Sequence, residues 1–165
     1  MGSEMCIRDS SLPAQPVSLE AKQHFLGKYG LEGKSLLISV GRLTSRKGLR
    51  EFVQNSLPGI VYAHPHAVLV IIGESPSNAL GADLQSPQSI MDTARAGKVE
   101  KNIRLLGSVS EAELATAFEC ASLHIFPIRN IPNDPEGFGM VAIEAAAHGA
   151  VSYTHLRAHE TSLHL

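Results

Sequence analysis

Eight residues, Gly41-Arg42-Leu43-Thr44-Ser45-Arg46-Lys47-Gly48, place three cations directly after an apolar run, Ser35–Val40, and directly ahead of a helical stretch. The start of a helix carries about half a positive charge, so each neighbouring cation costs roughly 0.3–1 kcal/mol when no anion is present. A phosphate reverses that sign, because backbone N–H groups, guanidinium and ammonium then converge on one negative charge. On this reading Arg42 and Lys47 are anion ligands, Gly41 gives the backbone room, and Arg46 is an ordinary solvated cation. The alternative for the whole loop is a basic segment screened by water that binds nothing.

A second stretch, Pro132 to Gly149, contains Glu136-Gly137-Phe138-Gly139 and then Met140-Val141-Ala142-Ile143-Glu144-Ala145-Ala146-Ala147. Asp134 as a cap with Pro135 in the first turn is a sound helix start. It places Gly137 and Gly139 inside the helix, however, at about 1 kcal/mol each. A loop through Glu136 and a helix beginning near Gly139 avoids that cost and lets bare backbone approach a ligand. Glu144 is then a lone carboxylate in a helix that is apolar all round, and such helices are expected to be buried. Burying an unpaired carboxylate costs several kcal/mol, which sugar hydroxyl donors would offset. The alternatives are that Glu144 reaches solvent or meets a core arginine.

The elements that must position these residues alternate between two periods. Ser35–Val40, His66–Ile72, Ile103–Leu106 and Leu123–Pro127 are short apolar runs read as strands, three of them closed by a glycine. Helical stretches run over Ser18–Tyr29, Gly48–Ala63, Pro87–Lys98, Ser110–Phe118 and Gly139–His148, with Ser110 and Glu113 at capping-box spacing. Such alternation predicts an α/β fold, a Rossmann-like parallel sheet with helices on both faces and ligands at the carboxyl ends of the strands.

At 165 residues, 44% hydrophobic and 18% charged, the chain has material for one domain. A formal net charge of −2 and aromatics at 5% with no Trp speak against a general nucleic-acid binder. Cys6 and Cys120 form neither a metal nor a redox spacing, so a reducing, cytoplasmic setting is expected and no metal is called for. No apolar run reaches membrane-spanning length. His64-Pro65-His66, His148 and Cys120 read as loop, helix-end and core residues without a site role.

The termini differ from the middle. "MCIRDS" and "VSYTHLRAHETS" resemble translated sequencing-adapter read-through, and neither end has a usable periodicity. The expected organisation is an artefactual or disordered 1–10, a linker and short helix over 11–34, an incomplete ligand-binding domain over 35–150, and an artefactual or disordered 151–165. The sheet is then expected to end on an exposed edge, giving a marginal or aggregation-prone product.

Taken together in this order, "SVGRLTSRKG", "NIRLLGSVSEAEL" and "PEGFGMVAIEAAAHG" resemble the carboxyl-terminal domain of GT-B glycosyltransferases, closest to glycosyltransferase family four, the retaining "glycosyl transferases group 1". The resemblance spans Ser35–Gly149. It implies a nucleotide-diphosphate sugar as substrate, with Arg42 and Lys47 on the donor diphosphate, where they stabilise the charge of the leaving group. It further implies that Glu136, Gly137, Phe138 and Gly139 hold the transferred sugar and Glu144 the ribose. Gly41 and the turn Gly107-Ser108-Val109 would line the nucleotide pocket. No cofactor or metal is implied, and no Asp-x-Asp motif occurs. Family members join two such domains, so the implied partner is an amino-terminal acceptor domain; this piece alone is not expected to transfer sugar. Peripheral membrane contact of the parent is compatible with the resemblance but has no residue signal. Two other readings remain: a dinucleotide-binding domain, from the G-x-G-x-x-A pattern Gly137 to Ala142, and a non-catalytic module binding nucleotide or a protein partner.

Overall fold

Six consecutive residues, Ala67–Ile72 (β2), are all buried, the mark of a strand covered on both faces. In the computed structural model, which describes residues 16–75, 85–129, 140–147 and 152–154, β2 lies second in a five-stranded sheet of order β3-β2-β1-β4-β5. The other strands are β1 (Ser35–Val40), β3 (Ile103–Gly107), β4 (Leu123–Phe126) and β5 (Ser152–Thr154). Every pairing is parallel, in register Leu37 with Leu69 and Leu37 with Leu123 on the two sides of β1. Each crossover therefore needs a helix.

Side-chain alternation along the strands sends two apolar sets in opposite directions. Leu37, Leu69, Ile71 and Ile125 pack with Phe52, Val53, Leu57 and Ile90 from α2 (Leu49–Asn55), α3 (Leu57–Ala63) and α4 (Pro87–Ala96). Leu36, Ile38, Val68 and Val70 face the other way, onto Phe25 of α1 (Leu19–Tyr29), Phe118 of α5 (Glu111–Cys120) and Ala145 of α6 (Met140–Ala147). A sheet with helices on both faces is the architecture expected from the alternating pattern.

Boundaries differ from the sequence reading in physically traceable ways. The single helix expected over Gly48–Ala63 is two helices broken at Ser56, because Pro58 lacks an N–H and its ring opposes the carbonyl four residues back. Helix α4 stops before Lys98, whose φ of 57° leaves the helical region. The capping box of α5 forms as expected, Ser110 Oγ accepting from the Glu113 N–H while the Glu113 carboxylate accepts from the Ser110 N–H. Ser152–Thr154, set apart as artefactual or disordered, pairs with β4 through Ser152 opposite His124. A β-branched and an aromatic residue beside an open parallel edge suffice for that. Among the described residues no helix is long and apolar enough to cross a membrane.

Candidate functional site at the carboxyl ends of β1 and β4

In the strand order β3-β2-β1-β4-β5, the chain adds β2 and β3 on one side of β1 and then β4 and β5 on the other, so the winding switches between β1 and β4. Loops after such neighbours leave to opposite faces and open a crevice at the carboxyl ends. The crevice is open, its roughly 270 Å³ of empty space including bulk solvent, and lies between Val40, Gly41 and Arg42 on one side and Phe126 and Pro127 on the other, with Lys47 and Leu49 in its wall.

Its shape depends on glycine. Gly41 N–H donates to Ile72 O at 2.9 Å and Gly73 N–H to Gly107 O at 2.9 Å, so the three strand ends are laced together through backbone. A Cβ on Gly73 would lie 2.0 Å from Gly41 O, and one on Gly48 2.0 Å from Pro127 O, closer than atoms can approach. Both also have positive φ, 134° and 64°. Gly48 thus lets the start of α2 sit against the chain leaving β4.

Arg42 is exposed at the mouth. Lys47 is half-buried; its stem passes over Gly41, where an added Cβ would lie 3.7 Å from Lys47 Cε, and its Nζ stands 4.7 Å from the Phe126 ring centre. A cation over an aromatic face gains about 0.5–2 kcal/mol, which holds the ammonium in the crevice. Beneath, His124 is fully buried, stacked on Phe126 at 5.8 Å and edge-on to Phe118 at 5.9 Å. Burial, and secondarily the Lys47 charge, push its imidazole down to about 4, so it is neutral at ordinary pH.

Part of the loop's backbone is already engaged. Ser45–Lys47 form a 3-10 turn in which Lys47 N–H donates to Thr44 O and Gly48 N–H to Ser45 O, while Arg50 N–H donates to Gln85 Oε1 at 3.0 Å. These three amides already have acceptors, so within the loop the Arg42 and Lys47 side chains are the main groups placed in the crevice for an anion. Arg46 is also unlike the expectation: it is half-buried, with Nε enclosed, and not a freely solvated cation.

Gly41, Arg42 and Lys47 are thus brought into one crevice. The turn Gly107-Ser108-Val109 follows β3 two strands away, with Gly107 at φ 65°, Ser108 exposed and Val109 packed on the core. Glu144 is half-buried on α6 and is not in the crevice wall. The expectation of a helix buried on every side does not hold: Ala145 is fully buried, but Ile143 is 47% exposed and Ala146 and Ala147 face solvent. Desolvation therefore does not single out Glu144. Glu136, Gly137, Phe138 and Gly139 lie outside the described residues. Sequence reasoning passed over Phe126, Glu51, Gln85 and Arg129, which shape or brace the crevice. Phe126 and Arg129 could have been flagged by the rule that functional groups follow strands; nothing in spacing marks Glu51 or Gln85.

The family model described as "Glycosyl transferases group 1" matches residues 21–152. A glycogen synthase of Mycobacterium tuberculosis is 31% identical over 129 residues, 78% of this chain and 28% of that protein. The chain therefore spans less than a third of that relative's length. Among solved structures, the C-terminal domain of a glycosyl transferase group 1 family protein from Francisella tularensis superposes with a TM-score of 0.62 at 19% identity, covering 84% of this chain and 66% of that one. Anabaena HepE in complex with UDP-glucose gives a TM-score of 0.65 at 14% identity, covering 83% and 34%. At those identities the likeness shows the shared GT-B fold.

Proposed function

The chain belongs to the glycosyl transferases group 1 family, and from that premise we propose that it is the donor-binding half of a glycosyltransferase that takes a nucleotide-diphosphate sugar. The observation that carries the reading is the placement of Arg42 and Lys47 in the crevice where β1 and β4 diverge. Breaking a sugar–phosphate bond builds negative charge on the departing diphosphate. Two cations there stabilise the transition state more than the ground state, and loss of one such donor typically lowers the rate by about 10²–10³. Neither group is placed to move a proton.

In the whole enzyme an amino-terminal acceptor domain closes over this crevice, and the glycosyl group is transferred with retention and without a metal cofactor. Glu136 and the amides around Gly137–Gly139 orient the sugar, Gly107–Val109 the base and Glu144 the ribose, in a cytoplasmic setting. The UDP-glucose complex of the Anabaena protein supports a nucleotide-sugar ligand for this fold. A dinucleotide-binding role has less support, since the loop after central β1 is basic and the G-x-G-x-x-A string runs into α6, after β4. Calorimetric titration of the chain with UDP, GDP, ADP and NAD tests the reading. One nucleoside diphosphate is expected to bind, roughly 10- to 100-fold more weakly in Arg42→Ala and in Lys47→Ala, as for a charged hydrogen bond removed. Binding that neither substitution weakens would overturn it.

A further inference from the structure

Gln85 is fully buried and is held through both its backbone and its side-chain amide. Its N–H donates to Leu43 O at 3.2 Å, its Oε1 accepts from Arg50 N–H at 3.0 Å, and its carbonyl accepts from Ser75 Oγ at 3.1 Å. Gln85 Nε2 donates to Glu51 Oε2 at 2.8 Å, and Arg129 Nη1 donates to Glu51 Oε1 at 2.9 Å. Arg129 closes the circuit through its own N–H, which donates to Arg46 O at 2.8 Å. The two points at which this circuit grips the basic loop are Leu43 and Arg46. Arg42 and Lys47 are the residues immediately outside those points.

We propose that Gln85, Glu51 and Arg129 are positioning residues that clip the diphosphate-binding loop to the chain leaving β4, an inference that rests on the donor-site reading. A flexible loop carrying two cations would bind a diphosphate but would first have to be ordered; a loop fixed in advance avoids that cost. The clip works because the Glu51 carboxylate serves the Gln85 amide and the Arg129 guanidinium together, with the Arg50 guanidinium a longer third neighbour at 3.5 Å. Glu51 holds the buried amide of Gln85, fixing Leu43, and the guanidinium of Arg129, fixing Arg46. By engaging Arg129 it also turns a third cation to structural use, leaving the anion to Arg42 and Lys47. An exposed ion pair alone would contribute little, since Arg129 and Glu51 side chains are 46% and 26% exposed. Anchoring to a buried amide bonded through both its oxygen and its nitrogen is what gives this pair purchase.

The test uses the full chain with Glu51→Ala, Arg129→Ala, the double variant and Arg129→Lys. Amide hydrogen exchange without ligand is expected to show protection at Lys47 and Gly48 falling about 5- to 10-fold in each alanine variant, with no further fall in the double variant. Arg129→Lys, which keeps a cation for Glu51, should stay within about twofold of the parent. Amides of β2 and α5 should not change. Unchanged protection at Lys47 and Gly48, or an equal fall everywhere, overturns the clip. Titration with inorganic pyrophosphate then separates positioning from direct contact: Arg129→Ala should weaken binding about 3- to 10-fold in the parent and not in the Glu51→Ala background. Equal weakening in both would make Arg129 an anion ligand and overturn the proposal. If the parent binds neither pyrophosphate nor any nucleoside diphosphate, the donor-site reading fails, while the exchange pattern still supports or overturns the clip by itself.

Discussion

The loop from Arg42 to Gly48 and the helix α6 carry the two most distinctive strings in the sequence, and their surroundings are opposite. The loop is held at Leu43 by Gln85 and at Arg46 by Arg129, lies close against Pro127 at Gly48, and two of its cations, Arg42 and Lys47, line the crevice. Helix α6 lies beside β4 and β5, joins the core through Val141 and Ala145, and leaves Ile143 47% exposed. Among the described residues, then, the polar loop is the more fully bonded region, and the apolar helix is covered on one side. Rigidity follows from how many fixed neighbours a segment has, and hydrophobicity by itself does not supply them.

That contrast can be broken by substitution, each effect read from equilibrium denaturation at neutral pH unless stated. Gly48→Ala combines left-handed backbone strain with a backbone clash and should cost about 2–5 kcal/mol; a loss under 1 kcal/mol would mean that the loop can move off Pro127. His124 gives a pH signature of nearly the same size. Its folded value of about 4 lies below the ordinary 6.5, so the unfolded chain binds more protons between those values. Stability should be full above pH 6.5 and fall by roughly 3 kcal/mol as pH drops towards 4, and His124→Leu should remove that slope. Glu113, held down to about 2 first by Lys28 and then by the Ser110 backbone, acts in a separate window: its contribution is present above pH 4.5 and lost as pH falls through 2.

Smaller effects sharpen the other side of the comparison. Ala145→Leu places extra volume where α6 meets the sheet and should cost about 1–3 kcal/mol. Ile143→Ser, two residues earlier on the exposed side, should change stability by less than about 0.5 kcal/mol. If these two variants prove equally destabilising, α6 is covered on both sides and the contrast with the loop disappears.

Much of the architecture was legible in the residues. Ala67–Ile72 announces a strand buried on both faces, Ser110 with Glu113 announces the start of α5, and the alternation of apolar runs with capped helices announces a parallel sheet. Those signals are local, set by one segment's period or by atoms three residues apart. The Pro58 break was written in the sequence as well and was overridden by a continuous apolar pattern. The burial of α6 was misjudged for a different reason: periodicity reports a helix's own composition, while burial depends on what lies across from each face.

By itself, then, the sequence determined the α/β class and the positions of most elements, and it put forward Arg42 and Lys47 as the cations to test against an anion. These follow from backbone propensity, capping chemistry and charge, which act over a few residues. Only the tertiary structure decided that Gly73 and Gly48 must lack a side chain, that Phe126 holds Lys47, and that Gln85, Glu51 and Arg129 meet behind the loop. Glu51 and Arg129 are 78 residues apart in the chain, and a hydrogen bond reaches about 3 Å; only the folded crossovers could bring them that close.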